Sequence, residues 1–316
     1  MNGRLREPPA ALKQEEIMDV LLELQEVSKR YGDKIAVDGV SFSAPAGQLF
    51  GLLGPNGAGK TSIIRMITTI TRPDSGKLFF EGRSLGGRHQ SVIGYLPEER
   101  GLYKKMYVGE HLIYLGRLKG MDKADARQKA GEWLERFGLS ERWGQRVEEL
   151  SKGLQQQVQF IATVLHRPRL IMLDEPFSGL DPVNAGKLKE EIRGLAQAGA
   201  AVILSTHRME QVEAICQRLV LINQGRTVLE GSLEAVRGRF QQNRYRLQYA
   251  APWAPAADGP YPLLPIGEGE VAVDLPAGHT PNDFLAWAMA AGATVSSFRQ
   301  DAPSLNDIFI RLVKQP

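Results

Sequence analysis

Gly54-Pro55-Asn56-Gly57-Ala58-Gly59-Lys60-Thr61 follows the apolar run Leu49-Phe50-Gly51-Leu52-Leu53 and precedes a segment in which Ile63, Ile64, Ile67 and Ile70 share one helical face. Strand, glycine-rich loop, Lys-Thr and helix in that order form the G-x-x-x-x-G-K-[ST] phosphate-loop pattern. Such a loop turns successive backbone N–H groups inward at a helix N-terminus, where the aligned peptide dipoles add positive potential. Gly54, Gly57 and Gly59 are expected to let the chain wrap an anion without Cβ clashes. Lys60 is placed to reach the β- and γ-phosphates and the Thr61 hydroxyl to ligate Mg²⁺, so the loop from Gly54 to Ser62, with Pro55, Asn56 and Ala58, is the candidate binding segment for a nucleoside triphosphate with magnesium.

Outward from the loop, composition narrows the function classes. The 316 residues allow one sizeable α/β domain and a smaller one. A formal charge of +3, from 39 basic and 36 acidic residues, gives no electrostatic stripe for a polyanion, and no nucleic-acid partner is expected. The single cysteine, Cys216, excludes an internal disulfide framework and a cysteine-rich zinc site and fits a reducing compartment. No run approaches the roughly 20 apolar residues that cross a bilayer, and Met1 to Glu16 lack the apolar stretch of a signal peptide. Residues 1–20, with Pro8, Pro9 and weak periodicity, read as a disordered extension, in which Met18 is a second candidate start.

Residues 21–240 read as the main domain. Strands are predicted at Leu22 to Val27, Val40 to Phe42, Leu49 to Leu53 and Leu78 to Phe80. A helical insertion occupies about 98–166, with Leu112, Leu115, Leu118 and then Trp133, Leu134, Phe137 at helical spacing and Gly138 suited to a stop. Continuous apolar runs at Leu170 to Leu173, Ala201 to Leu204 and Leu219 to Ile222 are of the kind buried on both faces of a parallel sheet. Residues 241–316 read as a small C-terminal α/β domain. Its proline-dense stretch (Pro252, Pro255, Pro260, Pro262, Pro265) is expected to be a loop, Val271 to Val273 a strand, and Thr280-Pro281-Asn282-Asp283 a capped helix start running to about Gly292; Ser304 and Asp307 repeat the capping signature.

The strand Leu170 to Leu173 ends in Asp174-Glu175-Pro176. Ligands of open α/β sheets bind beyond the carboxyl ends of the strands, so Asp174 is expected beside the phosphate loop as a Mg²⁺ ligand. Glu175, one residue farther out, is placed to orient and deprotonate the water that attacks the γ-phosphate.

With these motifs the chain resembles the ATP-binding cassette (ABC) ATPases over residues 22–240, in the family's order. Tyr31 matches the aromatic residue that stacks on adenine. Leu150-Ser151-Lys152-Gly153-Leu154-Gln155 resembles the signature, usually Leu-Ser-Gly-Gly-Gln, whose Ser151 and backbone N–H groups at a helix start form an anion site. Ser178-Gly179-Leu180-Asp181-Pro182 matches the loop that meets the other subunit, and His207, after a strand, matches the histidine that senses the γ-phosphate. Glu98, in Gly94-Tyr95-Leu96-Pro97-Glu98, stands where the switch loop commonly has glutamine, open to two readings: a metal ligand, or a carboxylate turned away to pair with a base. Lys152 replaces the first signature glycine.

The resemblance implies an α/β fold with a P-loop NTPase (RecA-like) core, an antiparallel β subdomain, a helical insertion and an accessory C-terminal α/β domain. It implies ATP and Mg²⁺ as cofactors and catalytic roles for Glu175, His207 and Lys60. It also implies a head-to-tail homodimer, because the signature lies too far from its own phosphate loop to bind the same γ-phosphate. Pro303-Ser304-Leu305-Asn306-Asp307-Ile308-Phe309 resembles the ending of sodium-efflux and drug-resistance ATPase subunits, which work with integral-membrane permeases, usually as exporters. Leu102 to Val108 then reads either as part of the groove that receives a permease helix or as core packing. The expected place is cytoplasmic, peripheral on the inner face of the cell membrane. A soluble ABC ATPase acting on ribosomes or DNA, and a non-catalytic binding module, are the alternatives; the second sits poorly with Lys60, Asp174, Glu175 and His207 all in place.

Overall fold

In the computed structural model, which describes residues 20–99, 101–240, 243–250, 253 and 259–314, three strands precede the first helix. The predicted extension, Met18, Pro252 and Pro255 lie outside the described residues. In chain order come β1 (Val20–Tyr31), β2 (Lys34–Pro45), β3 (Leu49–Leu53), α1 (Lys60–Ile67), β4 (Ser75–Phe80), β5 (Arg83–Ser84) and β6 (Ile93–Leu96). β1 pairs antiparallel with β2 and β4, giving a sheet in the order β2-β1-β4-β5. Its alternating residues Leu22, Leu24, Val27, Val40 and Phe42 point into the core and set the register.

After the helices α2 (Val108–Leu118), α3 (Lys123–Phe137) and α4 (Lys152–Val164) the chain forms β7 (Leu170–Asp174), α5 (Pro182–Gln197), β8 (Ala201–Thr206), α6 (Met209–Ile215), β9 (Arg218–Asn223), β10 (Arg226–Ser232) and α7 (Leu233–Phe240). The second sheet runs β10-β9-β3-β8-β7-β6, and from β9 to β6 neighbouring strands are parallel. Every residue of β3, β7 and β8 is buried, which is why these strands read as unbroken apolar runs. The registers Leu53↔Thr206, Asp174↔Ser205 and Leu96↔Leu173 bring the carboxyl ends of four strands to one edge, where the site is built.

Two sequence expectations need correction. Ile70 is exposed and lies past the end of α1, which stops at Ile67: Thr68 turns its hydroxyl back onto the Ile64 carbonyl at 2.8 Å, and Thr69 takes φ +60°. Pro265, expected in a loop, sits in the strand Leu263–Gly267.

The chain divides into two compact units, one reaching His207 and including Ile215–Thr227, the other made of Arg208–Ala214 with Val228 onward. The second unit carries β11 (Arg244–Ala250), β12 (Leu263–Gly267), β13 (Glu270–Asp274), α8 (Pro281–Ala290), β14 (Thr294–Gln300) and α9 (Leu305–Lys314), its sheet ordered β12-β13-β11-β14. β12 is an edge strand, where a proline removes no needed donor. Leu247, Val271, Val273 and Phe284 pack this unit's core. The Thr280–Asp283 capping box with Pro281 opens α8, and Ser304 and Asp307 bond reciprocally ahead of α9.

Candidate functional site

The phosphate loop needs glycine at two places for a reason other than the one expected. A Cβ on Gly54 would lie 2.3 Å from the Ile222 carbonyl oxygen, and one on Gly59 2.4 Å from that of Ala36. The loop is wedged against its own neighbouring backbone there, whereas Gly57 faces open space. Ala58 is buried, its N–H donating to the Pro55 carbonyl at 3.1 Å. Gly59 occupies the N-cap of α1 and no side chain caps that helix, so its leading N–H groups are left for a ligand. The Lys60 ammonium donates to the carbonyls of Gly54 at 2.7 Å and Pro55 at 3.1 Å. Burial lowers its pKa, and the nearby Asp174, Glu175 and Glu98 partly offset that.

A cavity of about 430 Å³ opens over the loop. The structure brings Tyr31, Asn56, Gly57, Gly59, Lys60, Thr61, Ser62, Glu98, Asp174 and Glu175 together around it, with Lys34 and Ala36, which the sequence reading passed over. Tyr31, at the end of β1, is 42% exposed and lines the opening, with the Lys29 ammonium 5.7 Å from its ring centroid.

Asp174 and Glu175 are nearly buried and each is held by the next strand. The Ser205 hydroxyl donates to Asp174 Oδ1 at 2.8 Å from the paired position on β8. Burial raises the Asp174 pKa; the Ser205 hydrogen bond opposes this, and the charges of Glu98 and Glu175 add to it. Glu175 adopts φ +48°, a left-handed conformation that a non-glycine residue reaches only under constraint. Thr206 Oγ1 donates to its Oε2 at 3.0 Å, the His207 N–H donates to Oε1 at 2.9 Å, and His207 Nδ1 lies 2.6 Å from the same oxygen. Ser205 and Thr206, which the sequence did not single out, thus hold the two acids. Their signal was polar residues ending an otherwise apolar strand.

Thr61, Asp174 and Glu98 offer one hydroxyl and two carboxylates to the same space, hard oxygen donors of the kind Mg²⁺ takes beside water and phosphate. Three carboxylates, Glu98, Asp174 and Glu175, face two lysines, Lys34 and Lys60, which leaves the cavity short of positive charge, so the residues present fit the ion. Glu98 therefore faces the cavity instead of turning away.

The other predicted residues lie elsewhere. None of Ser151, Lys152, Gly153, Leu154 or Gln155 lines the cavity. Ser151 caps α4, accepting from the Leu154 N–H at 3.4 Å, and Gly153 stands against the Gly179 carbonyl and the Leu180 side chain. Asp181 caps α5 by accepting from the N–H groups of Val183 and Asn184, both at 3.0 Å, with Pro182 at the first helical position. Of the segment Leu102 to Val108, Leu102 joins Tyr95, Pro97, Leu115 and Leu118 in lining a separate, mainly apolar groove of about 310 Å³. The Tyr103 ring packs edge-on against Tyr114, and Val108 is buried, so groove and packing share the segment.

A phosphate loop, an acid pair at a strand end and a histidine on the second acid, gathered at the carboxyl edge of a parallel sheet, define a P-loop nucleoside triphosphatase. Residues 37–178 match the family model described as ABC transporter, and residues 231–313 match the C-terminal domain of DrrA1-3-like ATP-binding proteins. The chain is 40% identical over 306 residues to the uncharacterized ABC transporter ATP-binding protein YhaQ of Bacillus subtilis (strain 168), covering 93% of this chain and 98% of that one. It is 38% identical over 220 residues to the Nod factor export ATP-binding protein I of Rhizobium sp. (strain N33), covering 69% and 72%. A solved ATP binding subunit of an ABC transporter superposes with a TM-score of 0.66 at 31% identity, over 70% of this chain and 93% of that one. The chain belongs to the ATP-binding proteins of ABC transporters, and its chemistry is ATP hydrolysis coupled to transport.

Proposed function

We propose that two copies of this chain pair head-to-tail, enclose two MgATP and drive an exporter whose integral-membrane permease is a separate chain. The observation that carries this reading is the separation of Ser151 from the cavity that gathers the other nucleotide motifs. A serine at a helix start, lacking a phosphate of its own, completes the site when it is Ser151 of the partner subunit.

In this reading Tyr31 stacks on adenine and the loop from Gly54 to Ser62 cradles the phosphates. Lys60 exchanges the Gly54 and Pro55 carbonyls for β- and γ-phosphate oxygens. Thr61 and Asp174, with Glu98, hold Mg²⁺, which when bound neutralises charge on the phosphates. Glu175 accepts the proton of the attacking water, and His207 orients that carboxylate and meets the γ-phosphate. Leu180 and Asp181 lie at the seam between subunits. ATP contacts favour the closed pair, and cleavage removes them.

The apolar groove beside Pro97 receives a permease helix, next to the loop that carries Glu98. Among the described residues no helix is long and apolar enough to cross a membrane, and the chain acts from the cytoplasmic face through its permease. The export direction rests on the Nod factor relative and on the DrrA1-3-like C-terminal domain.

The test is sedimentation of Glu175→Gln with MgATP. The expected result is a stable dimer, absent without nucleotide and lost when Ser151→Arg is added. A monomer at saturating ATP refutes the shared site.

A further inference from the structure

The helix that starts at Ser151 carries four glutamines in five positions, Gln155-Gln156-Gln157-Val158-Gln159. Gln156, Gln157 and Gln159 are all buried. Buried amides are costly unless bonded, and the Nε2 of each finds an acceptor on a different segment, although Gln159 Oε1 has no partner among the described residues. Gln156 Nε2 donates to the Pro176 carbonyl at 3.0 Å, Gln157 Nε2 to Asn184 Oδ1 at 2.7 Å, and Gln159 Nε2 to the Pro97 carbonyl at 3.2 Å.

Two of these targets share a plan. Pro176 follows Glu175 and Pro97 precedes Glu98, so two of the three acids facing the cavity adjoin a proline whose carbonyl is held from α4. Proline has no N–H, so that carbonyl is the residue's only backbone handle. β6 and β7 are paired neighbours, with Leu96 opposite Leu173, and Gln156 and Gln159, three apart on one helix, fall at the spacing that serves both strand ends. Farther along the same helix Thr163 Oγ1 donates to the Tyr95 carbonyl at 3.4 Å. A Cβ on Gly94 would lie 2.5 Å from the Thr163 carbonyl oxygen, so strand and helix run in direct backbone contact.

We propose that Gln156 and Gln159 are positioning residues that link the N-cap serine of α4 to Glu175 and Glu98, so that engagement of Ser151 by one nucleotide sets the acids of the other site. The proposal rests on the shared-site reading above. A helix is stiff along its axis, and a shift at its N-terminus displaces both carbonyls together. The two nucleotide sites of the dimer then fire cooperatively, and each glutamine acts on turnover, not on nucleotide affinity.

The experiment uses the full chain with its permease and compares Gln156→Met, Gln159→Met and Gln159→Glu with wild type. Methionine keeps the length without an amide, and glutamate keeps the shape but turns an acceptor toward the Pro97 carbonyl. The expected result is a kcat lower by about tenfold, the effect of misplacing a reacting group, with MgATP affinity unchanged, the Hill coefficient for ATP falling to about one, and kcat losses that do not follow the order of the melting-temperature losses that breaking a buried hydrogen bond brings. Wild-type kcat and Hill coefficient in these variants, or a kcat loss that tracks melting temperature, would overturn the proposal. Glu175→Gln run in parallel separates the two readings: an intact MgATP dimer beside normally cooperative glutamine variants sinks the linkage alone, whereas no dimer removes the shared site itself.

Discussion

His207 holds Glu175 twice at one oxygen, through its main-chain N–H at 2.9 Å and through Nδ1 at 2.6 Å, leaving Oε2 to Thr206. The carboxylate is oriented before any substrate arrives, which offsets the strain of its left-handed backbone.

Glu175→Gln should lower turnover by about 10²- to 10³-fold, as expected for loss of a general base, with ATP affinity unchanged. Thr206→Val, which frees Oε2, should give a smaller loss in kcat alone. Steady-state kinetics beside equilibrium nucleotide binding checks both, and unchanged turnover in Glu175→Gln would remove the residue from its role.

Lys60→Ala removes the ammonium that bonds the Gly54 and Pro55 carbonyls. ATP affinity should fall at least about tenfold, since a charge-assisted contact to phosphate is lost. Titration with a fluorescent nucleotide measures it, and wild-type affinity would contradict the loop assignment.

Asp174→Asn should separate stability from activity. Burial raises the Asp174 pKa, so its ionised form is disfavoured in the folded state and stability declines as pH rises above the ordinary carboxylate range. Asparagine still accepts from Ser205 without the charge. The nucleotide-free melting temperature at neutral pH should rise by about 2–4 °C while hydrolysis disappears. Glu98→Gln should move the Asp174 pKa down, because the Glu98 charge is one of the causes that raise it.

Burial lowers two histidines of the main unit, His111 and His166, each to about 4. Both are neutral in the fold and charge readily once unfolded, near pH 6.5. Their stabilising effect is fully present above about pH 6.5 and is lost as pH falls toward 4. Melting temperature should drop across that window, and His111→Phe should flatten the drop by about half if the two residues contribute equally. An unaltered slope would show that His111 does not titrate there.

The phosphate loop and the acid pair were legible in the sequence because each is a contiguous run with a recognisable spacing, and the structure gathers both around one cavity. Gly138 and the Thr280–Asp283 box were legible for the same reason, since caps are local. Pro265 was misread because the deciding fact, an edge position, belongs to the sheet and not to the peptide. The extent of α1 was misread where a threonine hydroxyl outcompeted the apolar period.

The residues alone pointed to a phosphate site, because a phosphate loop and an acid pair at a strand end are short runs of particular side chains. Tertiary structure decided what those groups rest on: why Gly54 and Gly59 cannot carry a Cβ, that Ser205 and Thr206 hold the acids, and that the glutamines of α4 grip Pro97 and Pro176. These contacts join positions from 20 to 168 residues apart, and pairing across that distance is set by sheet order and helix packing, which no local spacing encodes.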